Sequence, residues 1–361
     1  MKGSGGSADL RAAVIGYGLA GETLHTPLIS AVPGIEVAAI VTRDEARRRR
    51  AAQRYPDAAL FEDAAEIWED ADRFDVAVVA APNRAHVPLA SAALEAGLAV
   101  VVDKPLAGSA EEARELVESA ERRDLMLFPF QNRRWDGDLL TVRKLIEEGE
   151  LGEIRRMESR FERWRPELSA GWREQADPEE AGGLLYDLGS HLVDQALHLF
   201  GPGRHVYAEL DVRRPGAKVD DDSFVALTHE SEVRSHLWMS VVAAQLGPRF
   251  RILGERAAYV KYGLDPQEQA FREGRVPNEP GWGREEPDRW GCSESMARPG
   301  QWRPCRAPIS ASTKESWPQS GTALRPRSSP RRQSMPSPSS TPPGSRHGKG
   351  GWSNWDRRPE R

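Results

Sequence analysis

Residues 11–128 alternate short, unbroken apolar runs with stretches that mix polar and apolar positions. The runs predict buried parallel strands, because they are rich in β-branched residues and carry no alternating polar positions. They lie at Arg11–Gly16, Val37–Val41, Val76–Ala80, Ala99–Val102 and Met126–Phe128. The mixed stretches predict helices at Glu22–Ala31, Arg43–Tyr55, Ala85–Ala96 and Ala110–Arg123. Strands and helices in this order predict an α/β domain with a doubly wound parallel sheet of the Rossmann type.

After Pro129 the apolar positions alternate with polar ones, as in strands that have only one covered face. These strands are expected at Ile154–Trp164, Val206–Arg213, Phe224–Glu230, Val233–Ala243, Phe250–Gly254 and Ala257–Tyr262. Helices over Asp138–Glu148 and 184–200 would cover one face of the resulting sheet. The pattern predicts an α+β domain with a large, mostly antiparallel, open-faced sheet. Its open face, with His236 and Trp238, would meet water or a second copy of the chain.

The composition changes sharply near residue 291. Residues 291–361 are rich in Ser, Pro and Arg, carry a charge of +9 against −14 for the rest, and hold Ile309 and Leu324 as their only branched aliphatic residues. Such a segment buries too little apolar surface to offset its chain entropy. We therefore expect a first domain at 1–128, a second at 129–290 and a poorly ordered tail at 291–361.

The overall composition excludes several classes of protein. The chain has 50 basic and 55 acidic side chains, a net charge of −5, which gives no reason to expect a nucleic-acid partner. Its apolar runs are too short to span a bilayer. Two cysteines, Cys292 and Cys305, make no disulfide framework. We expect a soluble, cytoplasmic protein.

The segment Gly16-Tyr17-Gly18-Leu19-Ala20-Gly21 follows the first predicted strand and opens the first predicted helix. That context is required of a dinucleotide-binding fingerprint. The three glycines would make the tight turn, admit the pyrophosphate and let helix and strand touch. We expect Gly16, Gly18, Leu19, Ala20 and Gly21 to contact a dinucleotide; the alternative is that the glycines only form a turn.

The second strand ends in Val41-Thr42-Arg43, where an NAD-binding chain usually places an acid for the ribose hydroxyls. A hydroxyl and a guanidinium at Thr42 and Arg43 suit a 2′-phosphate, so NADP is favoured as the cofactor. NAD stays open as an alternative, because Asp44 comes next and Arg43 could be a solvated residue at the start of a helix.

Two further strands end in polar residues at the edge where such sheets bind ligands. Pro82, Asn83 and His86 follow one strand and are expected near the cofactor, although His86 could instead cap a helix. Asp103-Lys104-Pro105 follows the next. Lys104 could polarise a substrate oxygen or stabilise a hydroxyl that loses its proton; the alternative is a salt-bridged surface lysine.

The segment Gly182–Asp194 reads as a glycine-led entry into a helix. Asp187, His191, Asp194 and His198 follow at steps of four, three and four and share one face. A core network, a metal site and acid–base catalysis all remain open. No second cluster completes a metal coordination sphere, so we expect no metal. Acid–base catalysis fits best. His191 would exchange a hydroxyl proton, and Asp187 would orient His191 or form a hydrogen bond to the substrate.

These motifs, in this order, resemble the Gfo/Idh/MocA family of oxidoreductases over about residues 10–290, with DKP in place of the family's usual EKP. Finer motifs, such as HTPLI and YVKYGLDPQEQA, resemble the subgroup that contains NADP-dependent scyllo-inositol dehydrogenases. The resemblance implies that Lys104, Asp187 and His191 are catalytic and contact the substrate together with Asn132. It places Trp172 and Arg173 near the cofactor, and it implies a homodimer or higher oligomer that forms through the open sheet face.

The resemblance implies NADP(H)-dependent hydride transfer to or from a secondary hydroxyl carbon of a polyol, inositol or sugar. The alternatives are a non-catalytic NADP-binding regulator and a nicotinamide-dependent glycoside hydrolase on the same fold. The tail departs from the family, whose members continue with an apolar helical segment. We hypothesise that the tail after about Trp290 is an out-of-frame reading of a GC-rich gene, which the coding DNA would decide.

Overall fold

The first six strands form one parallel sheet at the start of the chain. A computed structural model describes residues 10–168, 174, 181–298 and 301–302. The strands are β1 (Leu10–Ile15), β2 (Ile35–Val41), β3 (Ala59–Phe61), β4 (Val76–Val79), β5 (Ala99–Val102) and β6 (Leu127–Pro129). They lie in the order β3-β2-β1-β4-β5-β6. The strand order reverses between β1 and β4, and ligands bind such sheets beside that point, at the carboxyl ends of the strands.

Helices cover both faces of this sheet. They are α1 (Thr26–Ala31), α2 (Glu45–Arg54), α3 (Ala65–Glu69), α4 (His86–Glu95) and α5 (Ala110–Arg122). Because successive side chains of a strand point to opposite faces, β1 contributes to two cores. Ala13 and Ile15 pack in one of them and Val14 in the other. The predicted doubly wound sheet is therefore confirmed.

The second sheet has eight strands and is mostly antiparallel. They are β7 (Ile154–Glu162), β8 (Gly203–Asp211), β9 (Asp222–His229), β10 (Arg234–Ser240), β11 (Phe250–Gly254), β12 (Ala257–Lys261), β13 (Cys292–Arg298) and β14 (Gln301–Trp302). Their order is β14-β13-β12-β11-β7-β10-β9-β8. Only the β7–β10 pair is parallel among the pairings in the described ranges.

Helices lie against one face of this sheet and leave the other open. The helices after β6 are α6 (Gly137–Glu147), α7 (Ser190–Phe200) and α8 (Gln267–Arg272). Leu192 of α7 packs in one buried cluster with Met157 of β7 and Leu237 of β10. On the opposite face, the side chains of Phe224 and Trp238 lie 5.0 Å apart by ring centroid and stay partly exposed. The predicted open-faced sheet is confirmed.

Two helices begin with a π-helical turn that a regular 3.6-residue pattern does not predict. These turns are Gly21–His25, which precedes α1, and Leu185–Gly189, which precedes α7. Other helices begin with side-chain caps: the Asp44 carboxylate accepts from Arg47 N–H at the start of α2, and Ser109 forms a capping box with Glu112 at the start of α5. Turns with one extra residue per hydrogen-bonded ring are frequent at functional sites.

The sequence did not predict several short elements, namely β3, α3, α8, β13 and β14. They span seven residues or fewer, too few to establish a hydrophobic period. In the part of the chain that the structure describes, no helix has both the length and the apolar character needed to cross a bilayer. Most of the predicted tail lies outside the described residues, and the domain boundaries at 128 and 290 stay predictions.

Candidate active site

The glycine turn after β1 has the sterics of a nucleotide cradle. Gly16 has φ +101°, and a Cβ there would lie 2.3 Å from the carbonyl oxygen of Ala80. A Cβ on Gly21 would lie 2.1 Å from the Gly16 oxygen, so both positions require glycine. At Gly18 the nearest protein atom to a built Cβ is an Arg47 guanidinium nitrogen at 3.9 Å. Gly18 thus faces open space, as expected where a backbone must approach a pyrophosphate.

Leu19 and Ala20 complete this turn. Leu19 is an exposed apolar side chain, and Ala20 is the residue that precedes the π-helical turn. At the end of β2, Thr42 is buried and its N–H donates to Phe61 at 2.9 Å. Arg43 is exposed, and its guanidinium donates to Asp63 at 2.6 Å. The glycine turn, Thr42 and Arg43 thus lie at the carboxyl ends of β1 and β2, and their contact with a dinucleotide stays a prediction.

The arginines of α2 differ in their partners. Arg48, Arg49 and Arg50 each lie within ion-pair distance of a glutamate, respectively Glu62, Glu45 and Glu22. The Arg47 side chain has no such partner among the described residues and points toward Gly18. Sequence reasoning missed Arg47. The available signal was its place in the first turn of α2, shortly after Thr42 and Arg43.

The residues after β4 contact the turn that follows β5. Pro82 precedes a 3₁₀ turn, Asn83–Ala85, that leads into α4. The His86 ring is buried, with Nδ1 2.7 Å from the Pro105 oxygen and Nε2 2.9 Å from the Ala81 oxygen. The imidazole therefore ties the end of β4 to the turn that carries Lys104. The cofactor contact expected for His86 stays a prediction.

Lys104 and Asp187 meet across the site. The Lys104 ammonium donates to the Asp187 carboxylate Oδ1 and to the Asp187 backbone oxygen, both at 2.7 Å. Their side chains are 15% and 8% exposed, so this ion pair is partly shielded from water. Lys104 comes from the first sheet and Asp187 from the π-helical turn before α7. Lys104 is therefore salt-bridged, as in the alternative interpretation, but its side chain is largely shielded and its role in catalysis stays a prediction.

The Asp103 carboxylate is bonded to the backbone of the turn that carries Lys104. Its Oδ1 accepts from the Lys104 N–H at 2.8 Å, and its Oδ2 lies 3.9 Å from Nε2 of the buried His25. Burial opposes ionisation of Asp103, but the neighbouring His25 and the Lys104 N–H lower the pKa of the carboxyl below its usual value. Asp103 is therefore an ionised anchor for the Lys104 backbone.

His191 lies in the first turn of α7 and is 6% exposed. Its Nδ1 is buried and has no hydrogen-bond partner among the described residues. Burial, followed by the positive charges of Lys104 and Arg133, holds the pKa of His191 well below its ordinary value, against the opposing effect of Asp187. The ring is therefore neutral near pH 7 and is able to accept a proton.

The other two polar residues of the predicted stripe have different surroundings. Asp194 accepts two hydrogen bonds from the Arg134 guanidinium, at 2.6 and 2.8 Å. His198 is exposed near the end of α7. The stripe therefore divides into a buried pair at the site, Asp187 and His191, and an outer pair. In the described ranges, no group of three or more His, Cys, Asp or Glu residues is arranged to hold a metal ion.

Asp220 fixes the start of the π-helical turn. Its Oδ2 accepts from the Leu185 N–H and from the Ser223 hydroxyl, both at 2.8 Å. A Cβ on Gly183 would lie 2.0 Å from the other carboxylate oxygen, so glycine is required for this approach. Sequence reasoning missed Asp220, because no local pattern links it to a turn that begins 35 residues earlier.

Buried arginines lie beside His191. The Arg249 guanidinium stacks 4.1 Å above the Phe161 ring and donates to Gln195 of α7 at 2.8 Å. Phe161 lies 6.4 Å from the His191 ring in an edge-on geometry. Arg133 pairs with Asp136 at 3.3 Å and also contacts Glu268. These cations add to the larger effect of burial in lowering the pKa of His191.

Asn132 begins the 3₁₀ turn Asn132–Trp135 after β6. It lines a small pocket between the first helix and α8, with Leu24 and Phe271 as apolar walls and Glu268 as a charged one. The substrate contact expected for Asn132 stays a prediction. Trp172 and Arg173 lie outside the described residues.

The sheet edge that holds the glycine turn also holds Lys104, which meets Asp187 from the turn before α7, and the buried His191 follows in α7. This combination belongs to an oxidoreductase that works with a nicotinamide dinucleotide. Residues 10–131 match the family model described as "Oxidoreductase family, NAD-binding Rossmann fold", and residues 139–260 match the "GFO/IDH/MocA C-terminal domain". The chain belongs to the GFO/IDH/MocA family of oxidoreductases.

Individual relatives agree with this assignment. The chain is 42% identical over 278 residues to the uncharacterized oxidoreductase YdgJ of Escherichia coli, covering 77% of this chain and 78% of the relative. It is 35% identical over 291 residues to the scyllo-inositol 2-dehydrogenase (NADP(+)) IolW of Bacillus subtilis, and the match covers 81% of this chain and 79% of IolW. The structure of the putative oxidoreductase yvaA from Bacillus subtilis aligns with a TM-score of 0.76 at 32% identity, covering 84% and 85%.

Proposed function

We propose that this protein is an NADP(H)-dependent oxidoreductase that transfers hydride to or from a secondary hydroxyl carbon of a polyol, inositol or sugar. The observation that carries the proposal is the arrangement after β5. Lys104 Nζ lies 2.7 Å from the Asp187 carboxylate, and His191 is buried with an unpartnered ring nitrogen. A secondary hydroxyl needs such groups, a cation for its oxygen and an acceptor for its proton.

The residues around the glycine turn fit a dinucleotide. Gly18 leaves open space where a side chain would stand, and Thr42 with Arg43 ends the next strand. Asn83 and the Lys104 turn would flank the nicotinamide end, since both follow strands at the carboxyl edge. Trp172 and Arg173 are proposed as further cofactor contacts. A bound nicotinamide supplies the hydride acceptor or donor, so the protein itself has only to bind, orient and move a proton.

In the oxidative direction, the neutral His191 imidazole accepts the proton of the substrate hydroxyl. The ammonium of Lys104 stabilises the negative charge that develops on that oxygen as the carbon loses its hydride. Asp187 keeps the ammonium in place through its carboxylate and backbone oxygens. Asn132 is proposed to bond a further hydroxyl of the substrate. In the reductive direction, the same imidazole returns the proton.

Two arginines support NADP as the cofactor. Arg43 stands where an acid would favour NAD, and Arg47 adds a guanidinium without a carboxylate partner in the described residues, 3.9 Å from the Cβ position of Gly18. A 2′-phosphate offers oxygens that match guanidinium donors. The similarity to IolW, a scyllo-inositol 2-dehydrogenase (NADP(+)), supports both the cofactor and the substrate class.

We also propose that the protein forms a homodimer or a higher homo-oligomer through the open face of the second sheet. The supporting observation is a band of aromatic side chains on that face. Phe224, His236 and Trp238 lie within 6.1 Å of one another by ring centroid, and the Arg160 guanidinium lies 3.9 Å above the Trp238 ring. Aromatic residues and arginine are enriched at protein interfaces.

The test is a panel of inositols, aldoses and glycosides incubated with NADP⁺ or NAD⁺, with reduced nicotinamide followed by its absorbance. We expect reduction with at least one neutral polyol or sugar and with a preference for NADP⁺. Cofactor binding without turnover of any member would instead support a regulator. Release of a glycosidic leaving group without net reduction would support a hydrolase. Both outcomes would overturn the proposal.

A further inference from the structure

Arg163 lies just beyond β7, and both of its backbone groups bond to the end of β10 and the residues that follow it. Its N–H donates to the Ser240 oxygen at 2.8 Å, and its own oxygen accepts from Ala243 at 3.2 Å. Alternate residues of a strand share a face, so Arg163 lies on the face that carries Phe161, whose ring is 6.4 Å from His191. Glu162 lies on the opposite face and accepts from the Gly247 N–H.

The charged groups that act on Arg163 belong to the site. They are Asp187, Glu268, Arg133 and Arg165. The two carboxylates among them are already engaged, because Asp187 binds the Lys104 ammonium and Glu268 binds the guanidinium of Arg272 at 2.7 Å. Over the described ranges, the Arg163 side chain has no hydrogen bond or ion pair, although it is only partly exposed.

A shielded guanidinium without a directly bonded carboxylate is costly. Burial, followed by the like charge of Arg165, lowers the pKa of Arg163 below its ordinary value. Arg133 and Arg249 are also shielded, but both have carboxylate partners, Asp136 for the former and Asp138 for the latter. Arg163 therefore has donors that remain available to a ligand within the described part of the chain.

We propose that Arg163 binds a pair of neighbouring oxygen atoms on the substrate, supplied by either a vicinal diol or a carboxylate. A planar guanidinium presents two parallel N–H donors at the spacing of such a pair. The inference rests on the proposed function, since it assigns Arg163 to the substrate that Lys104 and His191 act on. It makes Arg163 a determinant of substrate orientation, in addition to the lysine, aspartate and histidine.

Arg163→Lys and Arg163→Gln test this role, with Arg155→Gln as the control on an exposed arginine of the same strand. Lysine keeps the charge but loses the paired donors. With a diol, both Arg163 variants should lose roughly 10- to 100-fold in kcat/KM, chiefly through KM. With a carboxylate, lysine should retain more activity than glutamine. The KM for NADP⁺ and the thermal midpoint should stay close to wild type in each case.

Comparing scyllo-inositol with glucuronate shows whether Arg163 binds a vicinal diol or a carboxylate, because only glucuronate carries a carboxylate. Calorimetric binding of the same two probes to the NADP⁺-loaded protein keeps the test independent of turnover, so failure of the proposed reaction and failure of this inference are separable. Weaker binding of either probe to Arg163→Gln, with Arg155→Gln unchanged, supports the role. Unchanged binding and kcat/KM in the Arg163 variants, or wild-type protein that binds neither probe, would overturn it.

Discussion

At the residue scale, the lysine–aspartate pair carries both structure and chemistry. Lys104→Met removes a cation that donates twice to Asp187, so we expect a loss of about 2 kcal/mol in the free energy of unfolding. The kcat should fall by at least about 100-fold, because no ammonium then stabilises charge on the substrate oxygen. Urea unfolding and steady-state kinetics measure the two effects separately.

The double variant Lys104→Met/Asp187→Asn separates these two roles. Removing both charges should restore much of the lost stability, since the penalty of an uncompensated carboxylate disappears. It should restore no activity. A double variant that recovers both stability and turnover would contradict the assignment of Lys104 to the chemistry.

The pH dependence of His191 has a definite sign. Its pKa in the folded protein is depressed, so its contribution to stability is present above about pH 6.5 and is lost as the pH falls further. Between about pH 7.5 and pH 5.5, wild-type protein should lose roughly 1 kcal/mol more stability than His191→Asn. Chemical denaturation at both pH values measures this difference. An equal loss in the two proteins would mean that His191 is not held neutral.

Cofactor recognition should depend on Arg47. Arg47→Ala should raise the KM for NADP⁺ by roughly 10-fold or more and leave the KM for NAD⁺ nearly unchanged, because only NADP⁺ offers a 2′-phosphate. Arg49→Ala is the matched control, since Arg49 is an exposed arginine of the same helix that pairs with Glu45. A similar rise for both cofactors would place Arg47 at the pyrophosphate or outside the site.

At the element scale, the long apolar runs were sufficient to predict the parallel sheet, and β11 was predicted with its observed bounds, Phe250–Gly254. The pairing of Lys104 with Asp187 could not be read from sequence, because the residues are 83 positions apart and meet only after both sheets form. The π-helical turn at Leu185–Gly189 was also unforeseen. A fixed helical period contains no signal for one extra residue in a turn.

That turn should depend on Asp220. Asp220→Ala removes the acceptor for the Leu185 N–H and the Ser223 hydroxyl, so we expect a loss of about 1–2 kcal/mol in stability and a fall in kcat. Asp222→Ala is the control, because Asp222 is a nearby, partly exposed aspartate whose carboxylate lies 3.6 Å from the Arg213 guanidinium. Thermal unfolding and kinetics report both effects. Equal behaviour of the two variants would remove Asp220 from the support of the site.

At the scale of the whole molecule, two neighbouring residues of β8 test the proposed oligomer. Tyr207 lies on the open face with Phe224, and Val206 lies on the opposite face; both are well exposed. Tyr207→Lys should shift the protein toward monomer in sedimentation velocity, because it places a charge in the proposed interface. Val206→Lys should not. Wild-type protein that is monomeric at micromolar concentration would contradict the proposal.

The proposed hydride transfer by the whole protein is tested most directly by following the hydrogen that is transferred. scyllo-Inositol, myo-inositol and glucose, each deuterated at the carbinol carbons, are incubated with NADP⁺ or NAD⁺, and the nicotinamide is analysed by mass spectrometry. We predict that deuterium moves to the nicotinamide from at least one of these compounds, mainly with NADP⁺, and that Lys104→Met abolishes the transfer. Cofactor that is bound but stays unlabelled with every compound would contradict the account.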